Sequence, residues 1–351
     1  MPHRPPQNNP LMKVALIEFY PYHSELIHSQ LLFLKQYNCE IILIGTSQNQ
    51  KILQQYREYA TIFTFDFRKF SSLLKLWFFL LTSKINHVIF NTAQGNIMLK
   101  FSMLWIPKSI KIAGIIHNTR KLVSSTGQKI ISKKIKSYYV LADYMEHSFP
   151  QIKGIKQQHI NCAYNPSFPK RKLNKASNEI WVTIPGSIEY KRRDYDFLLT
   201  LIEHKEKTQN IKFILLGNSS RFEGPLFIDK IKENGVENNF IWFESFVPND
   251  LFYNYMIQSD FLLPLIHPST PSANDYLKYK VSGTFIQSQA YSKLMICHQM
   301  FNQPGFSYPS KFYQNAEEFI QILKENKGTK QIVKPDFRTD SKNYFNFLMD
   351  A

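Results

Sequence analysis

Between residues 180 and 297 one physical unit recurs: a short apolar run, a turn, then apolar residues at helical spacing. It opens with IWVTIPGSIEYKRRDYDFLLTLIE, continues through IKFILLGN, and closes with SDFLLPLI and VSGTFIQSQAYSKLMIC. Apolar runs of four to eight residues alternating with helical patterns argue for a parallel sheet wrapped by helices. Ligands of such sheets bind beyond the carboxyl ends of the strands. The glycines and cations of this segment fall at those ends, so it reads as a binder of a phosphorylated ligand.

The first half carries the same alternation. KVALIEF (13–19) reads as a strand, followed by a turn at Pro21 and a helix through LIHSQLLFLKQY. Further strands are read in CEIILIG, ending at Gly45, in ATIFTFDF, in NHVIFNT, ending near Thr92, and in SIKIAGIIHN, ending near Asn118. KSYYVLAD and HINCAYNP add two more short strands. The fold class expected is therefore α/β, with two doubly wound, Rossmann-like domains. The expected boundaries are a flexible Pro- and Asn-rich tail at 1–11, a first domain at 12–165, a polar cationic linker at 166–179 and a second domain at 180–335. Residues 336–351 carry Tyr344, Phe347 and Leu348 at helical spacing and read as a terminal helix packing back on the first domain.

Lys and Arg number 43 against 27 Asp and Glu, a net charge of +16. That excess points to an anionic partner: nucleic acid, an anionic membrane surface or a phosphorylated substrate. A solvated basic surface is the plain alternative. The three cysteines, Cys39, Cys162 and Cys297, are far apart and odd in number, which fits neither a disulfide framework nor a zinc pattern. They imply a reducing, cytoplasmic location with buried thiols. The longest apolar stretch, LLKLWFFLL (73–81), is roughly half the ~20 residues of a membrane span and is interrupted by Lys75. A soluble protein, or one peripheral on the inner face of the membrane, is expected. Two basic, aromatic-laced stretches, FRKFSSLLKLWFFLLTSKI and GQKIISKKIKSYY, suit docking on anionic lipid, where near-surface cations contribute ~1 kcal/mol each. The first suits a core helix equally well.

Two similar-sized doubly wound domains, a basic linker and a returning terminal helix resemble the GT-B glycosyltransferases. The second half is similar to their retaining group, which includes sucrose synthase and glycogen synthase. The resemblance covers most of the chain by element order, but only the second half by motif. It implies a nucleotide-sugar donor in a cleft between the domains, with the second domain gripping the nucleotide and the first carrying much of the acceptor site. The donor is a substrate, and no cofactor or metal is implied.

Pro185-Gly186-Ser187 ends the first strand of the second domain, with Lys191 and Arg192 ahead of the next helix. The family pattern has Gly-Arg here and a Lys five residues after the Arg. Ser187 stands at the Arg position and Arg192 at the Lys position, with Lys191 and Arg193 available to compensate. A guanidinium beside a helix start suits a diphosphate. Asp194-Tyr195-Asp196 follows three cations and opens a helix, so it reads as a helix cap rather than a metal site. Gly217 and Asn218 end the second strand, where glycine lets a base or ribose approach the backbone. Phe246 and Val247 resemble the loop covering the nucleobase.

In YKVSGTFIQSQAYSKLMIC the two Glu of the family are replaced by Tyr279 and Gln287. Lys280, Ser282, Gly283 and Thr284 remain at a helix start, an arrangement that suits an anion. Gln287 can bond a ribose hydroxyl. Of two further carboxylates, Asp260 reads as structural and Asp275, in the loop PLIHPSTPSAND, as the acid. In the first half His117 ends a strand, the position whose resemblance implies a bond to the transferred sugar, with Arg120 nearby. His23, Ser24 and Glu25 follow the first strand, and Glu25 is the general base if the enzyme inverts.

The expected function is transfer of a sugar from a nucleotide-sugar to a cell-surface glycan or lipid-linked acceptor, without a metal and with retention. The alternatives are a sugar-nucleotide epimerase of the same fold and an inactive glycan-binding homologue. A basic nucleic-acid-binding protein is the reading from another class. No nucleic-acid module is present and the cations cluster at turns, so nucleic acid is not expected as a partner.

Overall fold

The computed structural model describes residues 12–203, 205–328 and 335–351; the expected tail at 1–11 lies outside the described residues. The chain divides into two compact units, one running to Asn165 and including Asp336–Ala351, the other Pro166–Pro335.

The first unit contains strands β1 (Lys13–Ile17), β2 (Glu40–Thr46), β3 (Thr61–Phe65), β4 (His87–Phe90), β5 (Lys111–Ile115), β6 (Ser137–Val140) and β7 (Lys156–His159). They form one parallel sheet in the order β3-β2-β1-β4-β5-β6-β7. Val14 pairs with Ile41 on one side and His87 on the other, so β1 is central and the strand order reverses between β1 and β4. β4 and β6 are buried along their whole length, as parallel strands covered on both faces must be. The helix Ile27–Gln36 packs against the terminal helix Phe337–Met349. Tyr139 Oη donates to the Tyr344 carbonyl at 2.7 Å, Tyr344 Oη donates to Gln30 Oε1 at 3.1 Å, and Tyr37 stacks on Phe345 at 3.8 Å.

HINCAYNP is not the strand expected. β7 ends at His159, where that segment begins. Asn161 Oδ1 then accepts from Ala163 N at 3.2 Å, an Asx turn that bends the backbone away from the ladder.

The second unit is a parallel sheet of β8 (Ile180–Pro185), β9 (Ile211–Asn218), β10 (Phe240–Phe243), β11 (Phe261–Leu262), β12 (Leu294–His298) and β13 (Ser310–Tyr313), in the order β10-β9-β8-β11-β12-β13. Its core gathers Val182, Ile184, Phe213, Leu215, Phe261 and Ile296. SDFLLPLI holds only two strand residues, because Pro264 lacks an N–H and Leu265 takes a positive φ of 55°. β13 carried no distinct pattern in the sequence, whereas the helix Ala316–Glu325, capped by Asn315 Oδ1 on Glu318 N, buries Phe319, Ile320 and Leu323 at helical spacing.

Residues 166–179 are not a free linker; they are strapped to the helix Asn249–Gln258. Arg171 N donates to Asn254 Oδ1 at 2.8 Å, Leu173 N donates to Gln258 Oε1 at 3.1 Å, and Lys175 pairs with Asp260 at 2.5 Å. The helix Phe70–Thr82 is neither wholly core nor wholly exposed: it buries Leu73, Leu76 and Leu80 and exposes Phe70, Leu74 and Phe78. No described helix is long and apolar enough to cross a membrane.

Candidate functional site

In the second unit β8 and β9 end side by side, and their ends form a cavity. Gly186 has a φ of 103°, open to glycine, and its N–H donates to the Leu216 carbonyl at 3.0 Å. A Cβ on Gly217 would lie 2.2 Å from the Gly186 carbonyl oxygen. Gly217 therefore makes room for the neighbouring strand end, not for the base or ribose expected from the sequence. The cavity measures about 310 Å³ and is lined by Gly186, Ser187, Gly217, Asn218, Phe246 and Val247, all singled out in the sequence. Leu216, Arg221, Phe222 and Phe252 complete it and were missed. Arg221 and Phe222 follow IKFILLGN after two serines, and no periodicity marks them. Phe222 and Phe246 are 64% and 66% exposed, large rings left open at a cavity mouth.

The remaining expected phosphate ligands do not line this cavity. Arg192 is exposed and pairs with Glu189 at 3.1 Å. Arg193 turns inward instead, donating from Nη2 to Pro185 O at 2.6 Å, from Nη1 to Ser187 O at 2.9 Å and from Nε to Pro264 O at 3.2 Å. It clamps the glycine turn through its fork of donors. The Lys191 carbonyl accepts from Ser272 Oγ at 2.8 Å. Asp275 lies on the helix Ala273–Lys278, not in a loop, and its carboxylate pairs with Lys280 at 2.8 Å. That pair occupies both the expected acid and an expected phosphate cation.

Ser282 precedes the helix Gly283–Ala290 with extended backbone, yet its side chain makes no capping bond. A Cβ on Gly283 would meet nothing within 4 Å. Thr284 Oγ1 and Gln287 Oε1 are buried without a hydrogen-bond partner. Thr284 Oγ1 therefore faces the interior, and the open part of the helix start is exposed Gly283 with Ser282 before it.

Asp194 caps the helix Asp196–Glu203 through Phe197 N at 3.3 Å, and Asp196 pairs with Lys230 at 2.8 Å. Asp194 also accepts from His267 Nδ1 at 3.0 Å, and His267 Nε2 then accepts from Tyr313 Oη at 2.5 Å. The His267 bond is the first cause holding the Asp194 carboxyl below the usual range. Sequence reasoning missed this chain, because positions 194, 267 and 313 meet only in space. Among the described residues no group of three or more His, Cys, Asp or Glu is placed to hold a metal. Asp260 accepts from Trp181 N at 2.7 Å besides pairing with Lys175, a structural anchor.

In the first unit the ends of β1, β4 and β5 meet beside the order reversal. Glu18, just past β1, is 2% exposed; it accepts from Tyr20 N at 2.8 Å, Asn91 Nδ2 at 2.6 Å and Thr92 Oγ1 at 2.7 Å. Burial pushes its carboxyl up to about 7 against those three bonds. His117 Nε2 donates to the Asn91 carbonyl at 2.8 Å, which leaves Nδ1 as a free lone pair. Burial first, then the nearby His23, hold His117 well below the ordinary imidazole range, so it is neutral. The His23 ring stacks on it at 3.9 Å, and His23 Nδ1 lies 3.3 Å from Glu25 Oε1. Glu25 is exposed. The sequence reading named His117, His23 and Glu25 and passed over Glu18, whose signal was a lone carboxylate closing an apolar strand. The cysteines are buried, and burial pushes Cys39 up to about 11 and Cys297 up to about 12.

No protein-family model matches the sequence, and no curated protein matches it. Solved structures do match. HepE from Anabaena in complex with UDP-glucose superimposes with a TM-score of 0.64 at 12% identity, covering 97% of this chain and 100% of that one. A glycosyltransferase from Rickettsia africae gives 0.57 at 13%, covering 97% of both chains. UDP-GlcNAc 2-epimerase from Neisseria meningitidis bound to UDP-GlcNAc gives 0.57 at 11%, covering 97% and 100%. The two parallel Rossmann-like sheets, of seven and six strands, are those of the GT-B fold. Glycosyltransferases and sugar-nucleotide epimerases share it.

Proposed function

We propose that this chain is a glycosyltransferase that takes a sugar from a nucleotide-sugar donor and passes it to a glycan or lipid-linked acceptor. The observation that carries the reading is the cavity at the ends of β8 and β9. Its open rings, Phe246 and Phe222, suit stacking on a nucleobase. Asn218 suits the ribose hydroxyls, and Arg221 suits a phosphate through its fork of donors. The helix start at Ser282 and Gly283 is a second place for phosphate oxygens. Neutralisation by fixed cations and backbone N–H groups requires no metal. In the first unit the free Nδ1 of neutral His117 accepts a bond from a sugar hydroxyl. A retaining course, in which the departing phosphate takes the acceptor proton, requires no carboxylate at Tyr279 or Gln287. Uridine diphosphate is the first nucleotide to test, because the Anabaena and Neisseria structures hold UDP-glucose and UDP-GlcNAc.

One observation favours a second reading. The UDP-GlcNAc 2-epimerase from Neisseria meningitidis matches this chain with the same TM-score, 0.57, as the Rickettsia glycosyltransferase, so the fold supports a sugar-nucleotide epimerase equally.

Thermal shift with UDP, and titration calorimetry of wild type against Phe246→Ala, test the cavity. UDP should raise the melting temperature, and the variant should weaken binding by about tenfold, the stacking of one base. No stabilisation by any nucleoside diphosphate at millimolar concentration would sink the nucleotide reading. Radiolabelled UDP-sugars then separate the two chemistries: conversion of the donor without acceptor identifies an epimerase, and label in a glycan product a transferase.

A further inference from the structure

The chain's positive charge is not spread evenly. Residues 67–142 contain thirteen Lys and Arg and not one Asp or Glu, so one stretch accounts for most of the net +16. The sheet order carries that stretch to one side of the first unit. β1→β2→β3 runs one way and β3→β4→β5→β6 the other, so right-handed crossovers put the helices after β3, β4 and β5 on a common face. Those helices are Phe70–Thr82, Asn96–Ser102 and Thr126–Lys134, and the last two pack together.

On that face lies an apolar stripe that nothing among the described residues covers. Phe70, Leu74 and Phe78, spaced four apart, are 53%, 41% and 63% exposed. Trp77 Nε1 donates to the Trp105 carbonyl at 2.5 Å, which fastens the loop after the helix Asn96–Ser102 to the helix Phe70–Thr82. Met103 and Trp105, on that loop, are 68% and 67% exposed. Exposed Lys75, Lys100 and Lys108 lie on the same elements.

We propose that this face docks the protein on an anionic phospholipid surface, with Phe70, Leu74, Phe78, Met103 and Trp105 entering the headgroup layer and the lysines meeting the lipid phosphates. An amphipathic helix with aromatic and leucine residues on one face and cations beside them binds in the interface plane. An aromatic ring such as Trp105 is favoured at headgroup depth. The charge selects lipid over a second copy: a two-fold contact through this face would oppose two clusters of cations with no carboxylate between them. The proposal does not rest on the nucleotide-sugar reading.

The test is co-sedimentation of the full chain with vesicles of phosphatidylcholine alone and with roughly one-third phosphatidylglycerol. Binding to the anionic vesicles is expected, weakening as salt rises. The triple variant Phe70→Ser, Leu74→Ser, Phe78→Ser should lose at least tenfold in affinity, and Lys75→Gln with Lys100→Gln and Lys108→Gln should flatten the salt dependence. Each variant should keep the circular dichroism spectrum and any UDP-induced thermal shift of the wild type, which keeps the two readings separately testable. Independently of any variant, wild-type tryptophan emission should shift to the blue on anionic vesicles and be quenched by brominated lipid. Absence of wild-type binding and of that shift would overturn the proposal. So would a folded triple variant that binds like the wild type, or a vesicle-independent dimer that the same three substitutions dissolve. Salt-sensitive binding of duplex DNA without vesicle binding would assign the charge to nucleic acid instead and overturn it equally.

Discussion

Glu18 carries a proton that an exposed glutamate would have lost, and that makes it visible in the pH dependence of stability. Its ordinary pKa of 4.5 rises to about 7 on folding. Between those values the folded state binds more protons than the unfolded one, so the group's contribution is full below pH 4.5 and is lost as pH rises through 7. A shift of this size corresponds to roughly 3 kcal/mol. His117 acts with the opposite sign: its pKa is depressed, so its contribution is present above 6.5 and lost as pH falls. Because the two oppose each other, the wild-type profile alone does not isolate either. The difference between wild type and Glu18→Gln does. Urea unfolding from pH 4.5 to 8 should show the variant gaining on the wild type by up to about 3 kcal/mol as pH rises; a constant difference would mean that Glu18 titrates as an ordinary carboxylate. Nothing in KVALIEF announces this, because a single carboxylate closing an apolar strand is also how strands ordinarily end. Its environment is made by Asn91 and Thr92, seventy residues away in sequence.

Two glycines show how differently one residue type works in two elements. Gly217 closes β9 against the Gly186 carbonyl, and an added Cβ would lie 2.2 Å from that oxygen, so backbone has to move. Gly217→Ala should cost ~1–3 kcal/mol, the range for overpacking, and should narrow the cavity formed by β8 and β9. Gly283, at the first position of its helix, faces open space. Gly283→Ala should leave stability unchanged or raise it by up to ~1 kcal/mol, since alanine is the better helix former. If phosphate oxygens sit at that helix start, the same change should weaken UDP binding in calorimetry while the melting temperature holds; unchanged affinity would remove the helix start from the site. The sequence pattern showed both glycines at element ends but not what stood opposite them. Strands such as KVALI and IKFILLGN were legible because buried parallel strands are continuous apolar runs. β13 was not, since SKFY is short and only its last residue is buried. β11 was over-read, because apolar residues continue past the point where Pro264 ends the ladder.

For the molecule as a whole, alternation of strand and helix was enough to reveal two doubly wound sheets, because each βαβ unit leaves its own periodic mark. What periodicity does not carry is which distant residues share a strand end, and so the cavity was legible in Gly186, Ser187, Phe246 and Val247 but not in Arg221 or Phe222. The final helix was legible, by contrast, from the spacing of Tyr344, Phe347 and Leu348: Phe337–Met349 follows the second unit in sequence yet belongs to the first. Tyr344 is fully buried there, stacked on Tyr139 at 4.7 Å and beside Phe33 at 5.3 Å. Tyr344→Ala removes a core aromatic and should cost the first unit ~3–5 kcal/mol. For a unit of this size that lowers its melting midpoint by roughly 10 °C. A nucleotide held at the ends of β8 and β9 acts on the other core, raising its midpoint by mass action. Scanning calorimetry of wild type and Tyr344→Ala, each with and without UDP, should therefore move two transitions independently, one by substitution and one by ligand. A variant whose midpoints match the wild type would show that the terminal helix adds nothing to the first core. A single transition answering to both changes would show the two units unfolding as one.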